Sequence, residues 1–200
     1  MSRTARTAAV ASVGALLVFA GSAHAAAPAP KKLVISDPSG DGKIKGDIVK
    51  VTYTTTGKST KTSYTPTALV VTLETADAID TSGTTEYEID ADLDGCENGF
   101  NLYFTPGVDG SEGAGCGNGD LGSSTYEGVD GPPEVKGKTI TWTIPFKSVT
   151  TGSLKVGKSI TGISAFTALV DPVLGFVGPY MVTDAGMNDS ATTDASYKIG

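Results

Sequence analysis

Beyond the first thirty or so positions, apolar residues recur at every second place, in runs too short for helices and broken by Gly, Pro and Asp. In "TEYEIDA" Tyr87, Ile89 and Ala91 alternate with Glu86, Glu88 and Asp90. In "KTITWTIPF" Ile140, Trp142, Ile144 and Phe146 alternate mainly with threonines. "DIVKVTYTTT" sets Val49, Val51 and Tyr53 on one side, and "FNLYF" does the same with Phe100, Leu102 and Phe104. A period of two puts successive side chains on opposite faces of a strand, so each run has one face for a core and one for water. "TALVVTLE" is a continuous apolar run over 68–73, of the kind a buried strand carries. "KSITGISAFTALV" and "ASYKIG" read as later strands. No segment has a helical period. The expected fold is all-β, an antiparallel β-sandwich of jelly-roll or Ig-like topology.

Two segments interrupt this rhythm. From Pro106 to Val135 the chain is glycine-rich ("GVDGSEGAGCGNGDLGSS") and reads as one long loop. Loops of that length are uncommon in compact domains. "GPYMVTDAGMNDSATTD" reads as a surface connection before the last strand.

The first 25 residues follow a different logic. Arg3 and Arg6 precede an apolar run from Ala8 to Ala20, and the stretch ends in Ala23-His24-Ala25. That order of charge, apolar run and small-x-small triplet is the layout of a secretory signal peptide cleaved after Ala25. Residues 26–32 then form a flexible leader and 33–200 the sandwich domain. The expected location is secreted, extracellular, with no membrane span after cleavage and a monomeric state. Cleavage removes every arginine and the only histidine. The 15 basic residues fall to 13, all lysine, against 22 acids, a net charge of −9. Such a surface disfavours nucleic acid and anionic membranes.

Cys96 and Cys116 are the only cysteines. An exported chain with an even count favours one disulfide, which would tie the glycine-rich loop back to the 87–91 strand.

The same composition excludes much chemistry. Without histidine there is no Ser-His-Asp or Cys-His triad, and no zinc site built on His or several Cys. "GAGCGNGD" matches neither a dinucleotide fingerprint nor a phosphate loop. No enzyme is expected, and carboxylates are the remaining chemical resource. "DADLDG" places Asp90, Asp92 and Asp94 at the first, third and fifth positions of a calcium loop with Gly95 sixth. The twelfth position is Asn101 rather than Glu, so this is not an EF-hand. Two readings stand: a looser calcium turn, or the solvent face of a strand, since Glu86, Glu88, Asp90, Asp92 and Asp94 share one parity. A second acidic cluster, Asp37, Asp41 and Asp47 in "DPSGDGKIKGDI", lies among turn-forming Pro38, Gly40 and Gly42.

The aspartate-glycine turn running into "DI-x-x-V", with "YEIDAD", "WTIPF" and a last strand bearing Tyr197, resembles exported DOMON-like or family-9 carbohydrate-binding-like β-sandwich modules. The resemblance covers most of 33–199. It implies that the entry aspartates Asp37, Asp41 and Asp47 are calcium ligands. The haem-binding branch uses Met and His ligands, and this chain has no histidine after His24. The function it implies is a non-catalytic, calcium-stabilised binding module for a glycan or cell-envelope component. The alternative is a structural or interaction protein of the cell surface or medium. Trp142 shares the parity of Ile140 and Ile144 and is assigned to the core. Tyr103, Tyr126, Phe176 and Tyr180 are the candidate ligand-contacting aromatics.

Overall fold

Eleven strands form where the two-residue period operates, and in two places where it does not. They are β1 (Lys32–Ser36), β2 (Ile48–Ser59), β3 (Tyr64–Thr75), β4 (Thr85–Leu93), β5 (Phe100–Phe104), β6 (Glu112–Cys116), β7 (Glu134–Lys136), β8 (Thr139–Pro145), β9 (Ser159–Val170), β10 (Val182–Thr193) and β11 (Tyr197–Lys198). The computed structural model describes residues 29–40, 46–96, 99–108, 112–116, 132–146, 154–170 and 182–200. Among the described residues there is no helix, and so none long and apolar enough to cross a membrane. The expected signal peptide lies outside them.

The strands make two antiparallel sheets. The first has five strands in the order β1-β2-β3-β8-β7. The second has six, ordered β10-β9-β4-β5-β6, with β11 also paired to β9. The chain crosses between sheets at β3–β4, β6–β7 and β8–β9. This is the antiparallel sandwich the periodicity predicts.

The core lies between the sheets. Val51 and Tyr53 of β2, Leu69, Val71 and Leu73 of β3, and Ile140, Trp142 and Ile144 of β8 are buried on the inner face of the first sheet. Tyr87, Ile89, Ala91 and Leu93 of β4 face them with Phe100, Leu102 and Phe104 of β5 and Ile163 and Ala165 of β9. Tyr53, Val71 and Trp142 stand side by side across three strands. The Tyr53 and Tyr197 rings, from opposite sheets, lie 5.9 Å apart.

Three expectations from the sequence change here. The segment 182–193 is no connection but β10, paired along β9 with two register shifts. Its Asp, Asn and Gly have poor strand propensity, and ladder pairing outweighs that preference. The 106–135 stretch contains β6, whose Gly-Ala-Gly carries no strand signal yet pairs with all five residues of β5. β7 opens a hairpin whose Gly137 (φ +60°) supplies the left-handed turn position before β8. The first strand also starts earlier than expected. Lys32 already belongs to β1, and the Lys31 carbonyl accepts bonds from Thr54 Oγ1 and Tyr197 Oη.

Cys96 and Cys116 form a disulfide, with Cα atoms 5.1 Å apart. It joins the turn after β4 to the end of β6 and so spans β5 between them. Closing a loop of 20 residues constrains the unfolded chain by roughly 3 kcal/mol in the chain-entropy description.

Two predictions follow from this packing. Replacing both cysteines by serine should lower unfolding free energy by about 2–4 kcal/mol, read from urea titration, whereas the loss would be near zero if the unfolded chain gained nothing from the bridge. Trp142 is 1% exposed and its Nε1 has no hydrogen-bond partner among the described residues. Trp142→Ala should therefore cost about 3–5 kcal/mol. Trp142→Phe should cost distinctly less, because it keeps most of the packing and removes an unsatisfied donor. Wild-type emission should be blue-shifted and resist iodide.

Candidate functional site

The period that seats Tyr87, Ile89 and Ala91 in the core sends Glu86, Glu88 and Asp90 to the other face of the second sheet. The sequence predicts water there. Instead Glu86 is 6% exposed and Glu88 5%, while Asp90 is half-buried and Asp92 exposed. Parity says which face a side chain takes and nothing about what lies over that face, so the expectation of a solvated row is corrected for Glu86 and Glu88.

The register builds this face as rows across strands. Ser164 of β9, Asp90 of β4, Asn101 of β5 and Gly115 of β6 are paired neighbours in one row. Phe166, Glu88, Tyr103 and Gly113 form the next. Ala168 and Glu86 follow, with Thr105 Oγ1 donating to Glu86 Oε2 at 3.4 Å. Burial rises in that order. Ser164, Asp90 and Asn101 are half-buried, and Ala168, Glu86 and Thr105 are buried. The face is polar and is most exposed at its Asp90 end. Phe166 and Tyr103, both half-buried, stand on either side of Glu88.

Tyr103 keeps its place through a glycine. A Cβ on Gly113 would lie 2.4 Å from Tyr103 Cε1 and 2.6 Å from its Oη, so the ring rests directly over Gly113. This is the structural use of one glycine in a strand otherwise hard to recognise.

The carboxyls interact along the row. Asn101 Nδ2 donates to Asp90 Oδ1. Burial pushes the Glu88 carboxyl up to about 9, and the charges of Asp90 and Glu86 push it the same way. Burial raises Glu86 and Asp90 too, and their hydrogen bonds to Glu88 offset part of this. The row therefore holds protons more tightly than free carboxyls do, most of all at Glu88. Neutral Glu88 both donates and accepts hydrogen bonds, as Asn101 does.

The other acids of the predicted calcium turn diverge from Asp90. The Asp92 carboxylate lies over Gly162, a left-handed residue (φ +57°) beside the register shift between β4 and β9. Asp94 is exposed and pairs with Lys158 at 2.5 Å, whose ammonium holds its carboxyl below the usual range. Asp90, Asp92 and Asp94 thus serve three separate partners. Among the described residues no three His, Cys, Asp or Glu side chains are grouped to hold a metal ion.

The second acidic cluster is held by backbone. Asp47 is 6% exposed, and its Oδ2 accepts the Gly40 N–H at 2.7 Å. The Asp37 N–H donates to the Val49 carbonyl at 3.1 Å. Asp41 lies outside the described residues, as do Tyr126, Phe176 and Tyr180. Of the four predicted aromatics, only Tyr103 can be placed. Glu86, Glu88, Asn101, Thr105 and Phe166 of this face were not identified as site residues. For Phe166 the signal was present, since it alternates with buried Ala165 and Thr167 in "SAFTALV".

No family model, no curated protein and no solved structure matches this chain.

Asp47 yields a prediction of its own. Asp47→Ala should destabilise the protein by about 1.5–3 kcal/mol, the range for a buried hydrogen bond to a charged acceptor. Asp47→Asn, which keeps an acceptor oxygen, should cost clearly less. Equal costs in denaturant titration would show that the bond to Gly40 is not what Asp47 contributes.

Proposed function

We propose that the protein is an exported, monomeric, non-catalytic binding module that takes a neutral glycan of the cell envelope or medium at the open end of the second sheet's outer face. One observation carries this reading: Tyr103 and Phe166 flank a block of hydrogen-bonding side chains, Glu88, Asp90 and Asn101, on paired positions of three strands. Aromatic rings offer flat apolar surface for the C–H faces of a sugar. Carboxyl and amide groups in the neighbouring row, Asp90 and Asn101, supply the donors and acceptors its hydroxyls need. A ligand that brings no charge suits a face where burial already opposes ionisation of Glu88. Strand-to-strand spacing near 4.8 Å sets the two aromatic positions roughly 10 Å apart, a span for about two sugar rings.

The test is binding to an array of neutral and acidic polysaccharides, followed by calorimetry on the best hits. Tyr103→Ala and Phe166→Ala should each weaken binding about tenfold, equivalent to about 1.4 kcal/mol. Gly113→Ala is the sharper variant. Its new methyl meets the far end of the Tyr103 ring, which can swing away. Stability should change little while affinity falls as in Tyr103→Ala. Wild-type affinity in all three variants, or no glycan bound by the wild type, would overturn the proposal.

A further inference from the structure

Glu86, Glu88 and Asp90 project from one face of one strand, and two of the three are buried. Described neighbours on this face give them hydroxyls, an amide and rings but no cation. From β5 come Asn101, Tyr103 and Thr105; from β9, Ser164, Phe166 and Ala168; from β6, Gly113 and Gly115. Among the described residues Glu86 Oε1 is buried with no hydrogen-bond partner, and the residue is only 6% exposed. Like charges at such spacing in a desolvated place cannot all ionise without driving apart.

We infer that this carboxyl row is a proton-operated latch of the second sheet: while protons are shared along it, β4 stays seated between β5 and β9, and when they are lost, charge repulsion opens this face. The inference concerns the fold itself and does not depend on the glycan reading. It also explains the gradient of burial. Asp90 at the half-open end accepts from Asn101, and Glu88 hydrogen-bonds to Asp90 and to Asn101, so the buried and half-buried carboxyls form one hydrogen-bonded row.

The direction of pH dependence follows from linkage. The folded carboxyls hold protons more tightly than the unfolded ones, so their contribution to stability is complete below the ordinary Glu value of about 4.3. It declines as pH rises from there and is lost above the folded Glu88 value of about 9. Asp94, whose carboxyl is held low by Lys158, works in the opposite sense and only at the acid end. It therefore cannot mimic the latch.

The experiment is amide hydrogen exchange on the whole protein at about pH 5 and about pH 9, corrected for intrinsic rates, with protection compared strand by strand. Protection of β4 and β5 should fall about tenfold or more relative to β2 and β3. Glu88→Gln, neutral at every pH, should remove most of that fall, and Glu86→Gln part of it. Unchanged protection of β4 and β5, an equal loss across both sheets, or the full loss persisting in Glu88→Gln would overturn the inference. Should Glu88→Gln not fold, carboxyl-carbon NMR titration of the wild type decides. A Glu88 midpoint far above the ordinary carboxylate range supports the latch, and an ordinary midpoint refutes it.

Discussion

The rest of the structure depends on the position of β4. It is an inner strand of the second sheet, paired with β5 on one side and β9 on the other, and both its faces are buried over Thr85–Ile89. Its period of two divides nine residues into a core set, Tyr87, Ile89, Ala91 and Leu93, and an acidic set, Glu86, Glu88, Asp90 and Asp92. A slip of one register would bury charge in the core and expose Tyr87 and Ile89, so the hydrophobic half of the strand locks the acidic half in place. The disulfide reinforces this, because Cys96 follows β4 directly and bonds the far edge strand β6 across β5.

Inward-facing positions were legible in the sequence because burial in a sandwich core follows from alternation alone. Tyr53, Ile89, Leu102 and Trp142 were all placed correctly by parity. Outer faces are different. The same alternation that locates Glu86 and Glu88 cannot say whether water or protein lies over them, and their near-complete burial is a tertiary fact. β6 and β10 were hidden for another reason. Their Gly, Asp and Asn residues have weak intrinsic strand preference, and both strands exist because an adjacent strand offers a ladder to complete. Gly113 shows that in β6 the small residue is itself the requirement, since any side chain there would displace Tyr103.

The candidate site was half legible. "DADLDG" drew attention to β4, and to the end where its carboxylates diverge. Asp92 and Asp94 lie where the strand leaves the sheet and turn to Gly162 and Lys158, whereas Asp90 turns back along the row to Asn101. Spacing in sequence cannot distinguish carboxylates that converge from carboxylates that diverge, because that depends on where the bulge between β4 and β9 falls. Tyr103 and Phe166 became a pair only through register, being 63 residues apart on strands that both flank β4.

The composition explains why the row is left to protons. Beyond Arg6 the chain has no arginine, the side chain best suited to a buried bidentate pair with carboxylate. Among the described residues its lysines make ion pairs at the surface, Lys50 with Glu74, Lys136 with Glu134 and Lys158 with Asp94. Such exposed pairs add little to stability. A buried carboxylate without a cation costs far more than a buried neutral acid, so protonation is the cheaper state for the most enclosed member of the row. Neutrality achieved by a proton differs from neutrality achieved by an arginine. The arginine pair would be insensitive to pH across the physiological range, whereas a shared proton is lost as the solution becomes alkaline. A sheet that encloses acids with no cation among their described neighbours thereby has a stability that follows the pH of its surroundings.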